Sequence, residues 1–214
     1  MILYHFATSP FARRARLTMA LKGLSAELRD PRVEPSFRED VQRLNPTHTV
    51  PVLVDGDVVL TDSSAICQYL DRKVPEPPLF PAGLAAVEAY ELVALVDSVL
   101  NILIDLGLRY APLHGDSHYP AVREMMIGRV QRTLSSLAER VTAKGLAAGP
   151  ICAGVWSAAD IALLTLVLWL EGMPARAESF APARTLLGLG WSLPPVLSEW
   201  ANQHRNRPDV LALG

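Results

Sequence analysis

Three short stretches of this chain combine reactive or polar residue types with a position that would expose them. Thr8-Ser9-Pro10 falls where an apolar run, Ile2 to Phe6, gives way to a helical pattern beginning at Pro10. A hydroxyl at that junction caps the helix, with Pro10 in its first turn. The same geometry has a second use. A helix start presents free N–H groups and about half a positive charge, so it stabilises an anion, and a hydroxyl there could hydrogen-bond a bound thiolate. Between Met1 and Ala26 stand four cationic residues, Arg13, Arg14, Arg16 and Lys22, and no acidic one. That run suits an anion site or a solvated helix face equally.

Thr49-Val50-Pro51-Val52 sets a proline at the start of a strand. An ordinary trans proline explains it, and so does a cis bond, which would leave the N–H and C=O of Val50 free to pair with an extended peptide ligand. Both readings stay open at this point. Asp62-Ser63-Ser64 opens a later helix with more polar residues than one cap requires. Asp62 could meet an ammonium, and Ser63 with the helix start a carboxylate, so together they could hold an amino-acid head group. Ser157-Ala158-Ala159-Asp160 has the spacing of a capping box, with Trp156 and Ile161 at the flanking apolar positions. Asp160 is therefore read as folding chemistry. Cys67 and Cys152 read as packing residues, and neither they nor His48 and His114 have metal-ligand spacing, so no metal is expected.

The elements that must position these residues fall into two unequal parts. Up to about residue 74 the order is β-α-β-α-β-β-α: strands at Ile2 to Phe6 and Ala26 to Val33, then Pro51 to Val54 and Val58 to Leu60 around Asp55-Gly56-Asp57, with helices at Pro10 to Lys22, Phe37 to Leu44 and Asp62 to Lys73. Pro31 cannot donate to a ladder, which puts the second strand at a sheet edge. Gly23 stands where a helix C-cap belongs. A mixed sheet with an antiparallel hairpin follows. Pro75, Pro77, Pro78 and Pro81 then form a semi-rigid linker. The expected division is 1–75, a linker at 75–83, and an all-helical 84–214. In that second part Leu84 to Tyr110 is apolar over a wide arc and should pack on two sides. From Pro120 to Lys144 a stripe of Val122, Met126, Ile127, Val130, Leu134, Leu137 and Val141 marks an amphipathic helix.

Composition narrows the function classes. Half of the 214 residues are hydrophobic and 20% charged, which excludes a disordered chain. Twenty basic against 22 acidic residues leave a net charge of −2, so nucleic acid is not an expected partner. The most apolar window, Ile151 to Leu170, contains Asp160 and Gly154 and reads as a helix buried in a soluble core rather than a membrane span. No basic region precedes the apolar start, so no secretory leader is expected. Two cysteines point to a reducing, cytoplasmic compartment.

Taken in order, these motifs resemble the cytosolic glutathione S-transferases over essentially the whole chain. They are Ser9-Pro10-Phe11 with Arg14 and Arg16; Asn45-Pro46 ahead of Val50-Pro51-Val52-Leu53; Asp62-Ser63 with Ala65-Ile66 and Tyr69-Leu70; the proline linker; Ser157 to Asp160; Trp200; and Arg207-Pro208. The resemblance implies a thioredoxin-like α+β domain, an all-α C-terminal domain, glutathione as cosubstrate and a homodimer, the first domain of one chain against the helical domain of the other. It makes Ser9 the residue that hydrogen-bonds the glutathione sulfur, with Tyr4 as the alternative because some classes use an early tyrosine. Val50 would pair with the cysteinyl backbone ahead of cis-Pro51, and Asp62 and Ser63 would hold the γ-glutamyl head. The implied activity is attack of the glutathione thiolate on a hydrophobic electrophile seated between the Ser9 loop and the Leu84 to Tyr110 helix. A glutathione-dependent isomerase or peroxidase, or a non-catalytic interaction protein, are the alternatives. Departures from the family pattern are Asp62 in place of a common glutamate, His48-Thr49 in place of a Gly-Lys or Gly-Arg type pair, and no cysteine near Ser9.

Overall fold

The computed structural model describes residues 1–145, 149–152 and 154–211. Its first part follows the expected order: β1 (Ile2–Tyr4), α1 (Pro10–Leu21), β2 (Glu27–Arg29), α2 (Pro35–Leu44), β3 (Val52–Asp55), β4 (Val58–Leu60) and α3 (Ser63–Lys73). The strands form one thioredoxin-like mixed sheet in the order β2-β1-β3-β4, with β1 parallel to β2 and antiparallel to β3. The second strand lies at the edge but is shorter than the expected Ala26 to Val33, ending before Pro31, which has no N–H to continue the ladder. At the end of α1, Gly23 takes φ +62, a conformation open to glycine at no steric cost. Leu3, Ala15, Met19, Leu53, Ile66 and Leu70 are buried between the sheet, α1 and α3. On another face, Tyr4, Val41, Val50 and Val52 pack with Phe37 and Leu44 of α2.

The proline-rich stretch is pinned at several points. The buried Lys22 ammonium lies 2.6 Å from Asp71 and also donates to the Pro77 carbonyl. Asp71 accepts the N–H of Leu79 at 2.9 Å, and Leu79, fully buried, accepts the N–H of Ala158 at 2.8 Å. Glu76–Pro77 is a cis bond that nothing in the sequence marked.

Beyond it the described chain is helical: α4 (Leu84–Ile104), a π-helical turn (Asp105–Arg109), α5 (Tyr119–Lys144), α6 (Ala158–Glu171), α7 (Met173–Ala177), α8 (Ala181–Leu187), α9 (Pro195–His204) and α10 (Pro208–Leu211). Nearly every residue of α6 is buried, which explains its unbroken apolar run. No helix among the described residues is long and apolar enough to cross a membrane. Two expectations need correction. The long helix from Leu84 leaves α geometry at Asp105 instead of running to Tyr110. There Gly107 lies against α8, and a Cβ on it would sit 2.7 Å from Leu186 Cγ. Val122, counted in the α5 stripe, is exposed, whereas Val130, Leu134, Leu137 and Val141 are buried. Apolar spacing identifies the face of a helix, not how far along it a neighbour reaches.

Candidate active site

Three connections leave the sheet at one end. Tyr4 pairs with Val52, and Leu53 with Leu60, both antiparallel. The end of β1, the start of β3 and the end of β4 therefore lie side by side. The loops attached there carry Ser9, Val50-Pro51 and Asp62-Ser63.

Ser9 is the cap of α1, and Thr8 beside it is exposed. The half-buried Ser9 Oγ accepts the N–H of Ala12 at 3.2 Å. Among the described residues that hydroxyl donates to no partner, so its proton is uncommitted. Tyr4 is differently placed. Its hydroxyl donates to Asp40 Oδ2 at 2.6 Å and accepts from Arg29 at 3.2 Å, while its ring meets Phe37 edge-on. Burial, with the Asp40 carboxylate beside it, raises the Tyr4 pKa. Both functions of that hydroxyl are committed away from the Ser9 loop.

The Val50–Pro51 bond is cis. Asn45 holds the loop before it: its amide donates to the Thr49 carbonyl at 2.8 Å, and its Oδ1 accepts the Thr47 N–H at 3.0 Å. His48, exposed, adopts φ 55, the left-handed region that glycine enters without cost. Among the described residues no hydrogen bond engages the N–H or C=O of Val50.

Asp62 caps α3, its Oδ1 accepting the Ala65 N–H at 2.9 Å, and is exposed. Ser63 is buried and Ser64 half-buried. Each serine oxygen accepts a hydrogen bond from Arg14 Nη1 at 3.3 Å, and Arg14 Nη2 lies 2.5 Å from Asp97 of α4. Arg14 is only 1% exposed. The sequence placed it in a charge run and gave no sign of this link, because its partners are 49, 50 and 83 positions away.

Positive charge concentrates beside the Ser9 loop. Arg16 donates to the Ala7 carbonyl at 3.0 Å. Burial lowers the pKa of Arg13, Arg16 and Arg176 of α7, and the charge of Arg13 adds to the effect on the other two. The remaining candidates are inert. Cys67 and Cys152 are buried, which pushes both thiols up to about 11. Among the described residues no group of three or more His, Cys, Asp or Glu could hold a metal ion. Two surface grooves, of about 380 Å³ along α5 and Leu189-Gly190 and about 350 Å³ at the start of α2, include none of the residues at the sheet end.

Residues 3–78 match the model of the glutathione S-transferase N-terminal domain. Glutathione S-transferase Z1 of Arabidopsis thaliana is 49% identical over 84 residues, 38% of this chain and 38% of that protein. A probable maleylacetoacetate isomerase of Vibrio cholerae is 36% identical over 110 residues, 50% of this chain and 49% of that protein. The chain thus spans half or less of the length of these curated relatives. A glutathione S-transferase of Methylobacillus flagellatus, solved with glutathione bound, superposes with TM-score 0.76 at 24% identity, covering 100% of this chain and 98% of that one. At that identity the likeness is one of fold.

Proposed function

We propose that this chain, whose residues 3–78 match the glutathione S-transferase N-terminal domain and whose fold follows that of a glutathione S-transferase along its length, is a transferase that adds the glutathione thiolate to an electrophilic carbon. The observation that carries this reading is the Ser9 hydroxyl. Its oxygen is held by Ala12 and its proton is free to meet a sulfur at the start of α1. A free thiol has a pKa near ~8.5, and lowering it by about two units requires about 2.7 kcal/mol of preference for the thiolate. One hydroxyl donor and a helix dipole together supply an effect of that size.

In this reading glutathione lies across the sheet end, within residues 1–75, with 75–83 the linker to the helical 84–214. Val50 pairs with the cysteinyl backbone beside Pro51, Asp62 offers its second carboxylate oxygen to the γ-glutamyl ammonium, and Ser63 faces the carboxylate. Asp62 has a shorter arm than glutamate, so the ligand must approach α3 more closely. Retention on immobilised glutathione together with turnover of a generic electrophile supports the reading; neither property in folded protein overturns it in favour of an interaction protein. Leu84, Val87 and Tyr90 in the first two turns of α4 are exposed apolar residues. They support a homodimer through that face, which a monomeric mass by sedimentation at micromolar concentration would exclude.

A second reading has its own observation. One relative is named a probable maleylacetoacetate isomerase, whose substrate carries carboxylates, and Arg16 brings positive charge to the loop before Ser9, donating to the Ala7 carbonyl at 3.0 Å. A thiolate that adds to a conjugated double bond, lets it rotate as a single bond and is then expelled leaves glutathione unconsumed. Following glutathione and product together separates the two: stoichiometric loss of thiol marks transfer, and turnover at constant thiol marks isomerisation.

A further inference from the structure

We propose that Tyr4 is a positioning residue for glutathione: through Asp40 it holds α2, and with α2 the turn that delivers the Val50 backbone to the tripeptide. The proposal deepens the glutathione reading above and rests on it. By itself α2 is lightly moored. Phe37, Val41 and Leu44, spaced as one helical stripe, pack beside Tyr4 and Val52, but only Val41 of the three is buried and the others are half-buried. Apart from Asp40, also half-buried, the rest of α2 is exposed. A helix of 10 residues is marginal unless something further holds it.

A polar bridge supplies that hold. Tyr4 is 3% exposed, and its hydroxyl joins three elements: carried by β1, it donates to Asp40 of α2 at 2.6 Å and accepts from Arg29 of β2 at 3.2 Å. Arg29 itself comes no closer to Asp40 than 3.8 Å, too far for a hydrogen bond, so the phenol oxygen is the link between them. The Arg29 guanidinium also covers the Phe37 ring at 5.1 Å. The hydrogen bond from Tyr4 is the leading cause that holds the Asp40 carboxyl below its ordinary value, so the bond is charge-assisted.

What α2 carries follows from its last turn. The Asn45 N–H donates to the Val41 carbonyl at 2.9 Å, the Asn45 carbonyl accepts the His48 N–H at 2.9 Å, and the Asn45 side chain engages Thr47 and Thr49. Residues 45–49 therefore move with the end of α2, and Val50, buried beside Tyr4 and Val41, moves with them. Ser9 stands on a different loop. Loss of the bridge should disturb the peptide contact and spare the sulfur contact.

Three measurements on the full chain test this: glutathione affinity by calorimetry, the ultraviolet titration midpoint of the bound thiol, and amide hydrogen exchange over residues 35–50. Tyr4→Phe should weaken glutathione about fivefold, speed exchange in that segment, and leave the midpoint in place. Asp40→Ala should do the same, which preserves the test if Tyr4→Phe does not fold. The double variant should lose no more than the weaker-binding single variant, because both substitutions break one link. Unchanged affinity or unchanged exchange in the single variants, or losses that multiply in the double, would overturn the positioning role and leave the glutathione reading intact. A shifted midpoint would overturn it as well, by making Tyr4 the sulfur contact. Failure of wild type to bind glutathione would overturn both.

Discussion

Ser9 and Ser157 both stand immediately before a helix, and both were legible as caps, yet their surroundings differ. Ser157 is fully buried and closed. Its N–H and hydroxyl donate to Asp160 Oδ2 at 2.9 and 2.7 Å, and Asp160 Oδ1 takes the Ile151 N–H at 2.7 Å. Burial raises the Asp160 pKa, and the hydrogen bonds from Ser157 and Ile151 oppose that. The ring of Trp156 beside it stacks on Trp200. Ser9 is half-buried and open. The third residue of its helix is Ala12, the first turn of α1 holds no acid, and the hydroxyl donates to none of the described residues. A serine cap with a carboxylate three residues on is complete in itself. One without it retains a donor at the positive end of a helix, and only the second kind is equipped to meet an anion.

That contrast can be broken from either side. Asp160→Ala should have the largest effect, because it strands two buried N–H donors and a buried hydroxyl. A loss of about 3–5 kcal/mol is expected in urea denaturation, with turnover per folded molecule unchanged. A cost below about 1 kcal/mol would mean that the Ser157 cap is not the closed unit described. Gly107→Ala tests another closed place in the helical part. The added methyl must displace Leu186, at about 1–3 kcal/mol, and an unchanged melting temperature would contradict the close approach. Tyr4→Phe should cost about 1 kcal/mol through Asp40 and Arg29 and leave the ionisation of bound thiol where it was. A shift there would move the sulfur contact from Ser9 to Tyr4.

The smallest effect is a pH dependence. Burial lowers the pKa of His204, which packs on Trp156 and Trp200, and of His5 at the end of β1. The folded state therefore binds these protons less readily than the unfolded chain. Stability should be full above about pH 6.5, the ordinary histidine value, and should decline as pH falls through the lower folded values. The melting temperature across that range measures it, and His204→Phe should flatten the decline. A slope unchanged by that variant would remove His204 as a cause.

Much of this was legible because it is local. Periodicity placed every strand and helix of the sheet part, Pro31 marked the edge strand, and Ser9, Asp62 and Ser157 were recognisable from their position before a helix. The unread parts join distant residues. Nothing near Arg14 announces Ser63 or Asp97, nothing near Lys22 announces Asp71, and nothing near the π-helical turn at Asp105–Arg109 announces Leu186 of α8, against which Gly107 lies. His48 shows the same limit differently. Its residue type was noted as a departure, but its left-handed backbone belongs to a loop that Asn45 ties down from both ends.

The central claim is that the open cap at Ser9 ionises the thiol of bound glutathione. Thiolate absorbance in the ultraviolet, titrated against pH on glutathione bound to wild type and to Ser9→Ala, measures this directly. Loss of the cap costs ~0.5–2 kcal/mol of stability, so both proteins are first shown to be folded at each pH. The titration midpoint should lie well below that of free glutathione in wild type and rise by roughly one to two units in the alanine variant. Turnover should fall by a similar factor at neutral pH and recover as the thiol ionises unaided, with glutathione affinity changing only modestly. An identical midpoint in the two proteins would contradict the account.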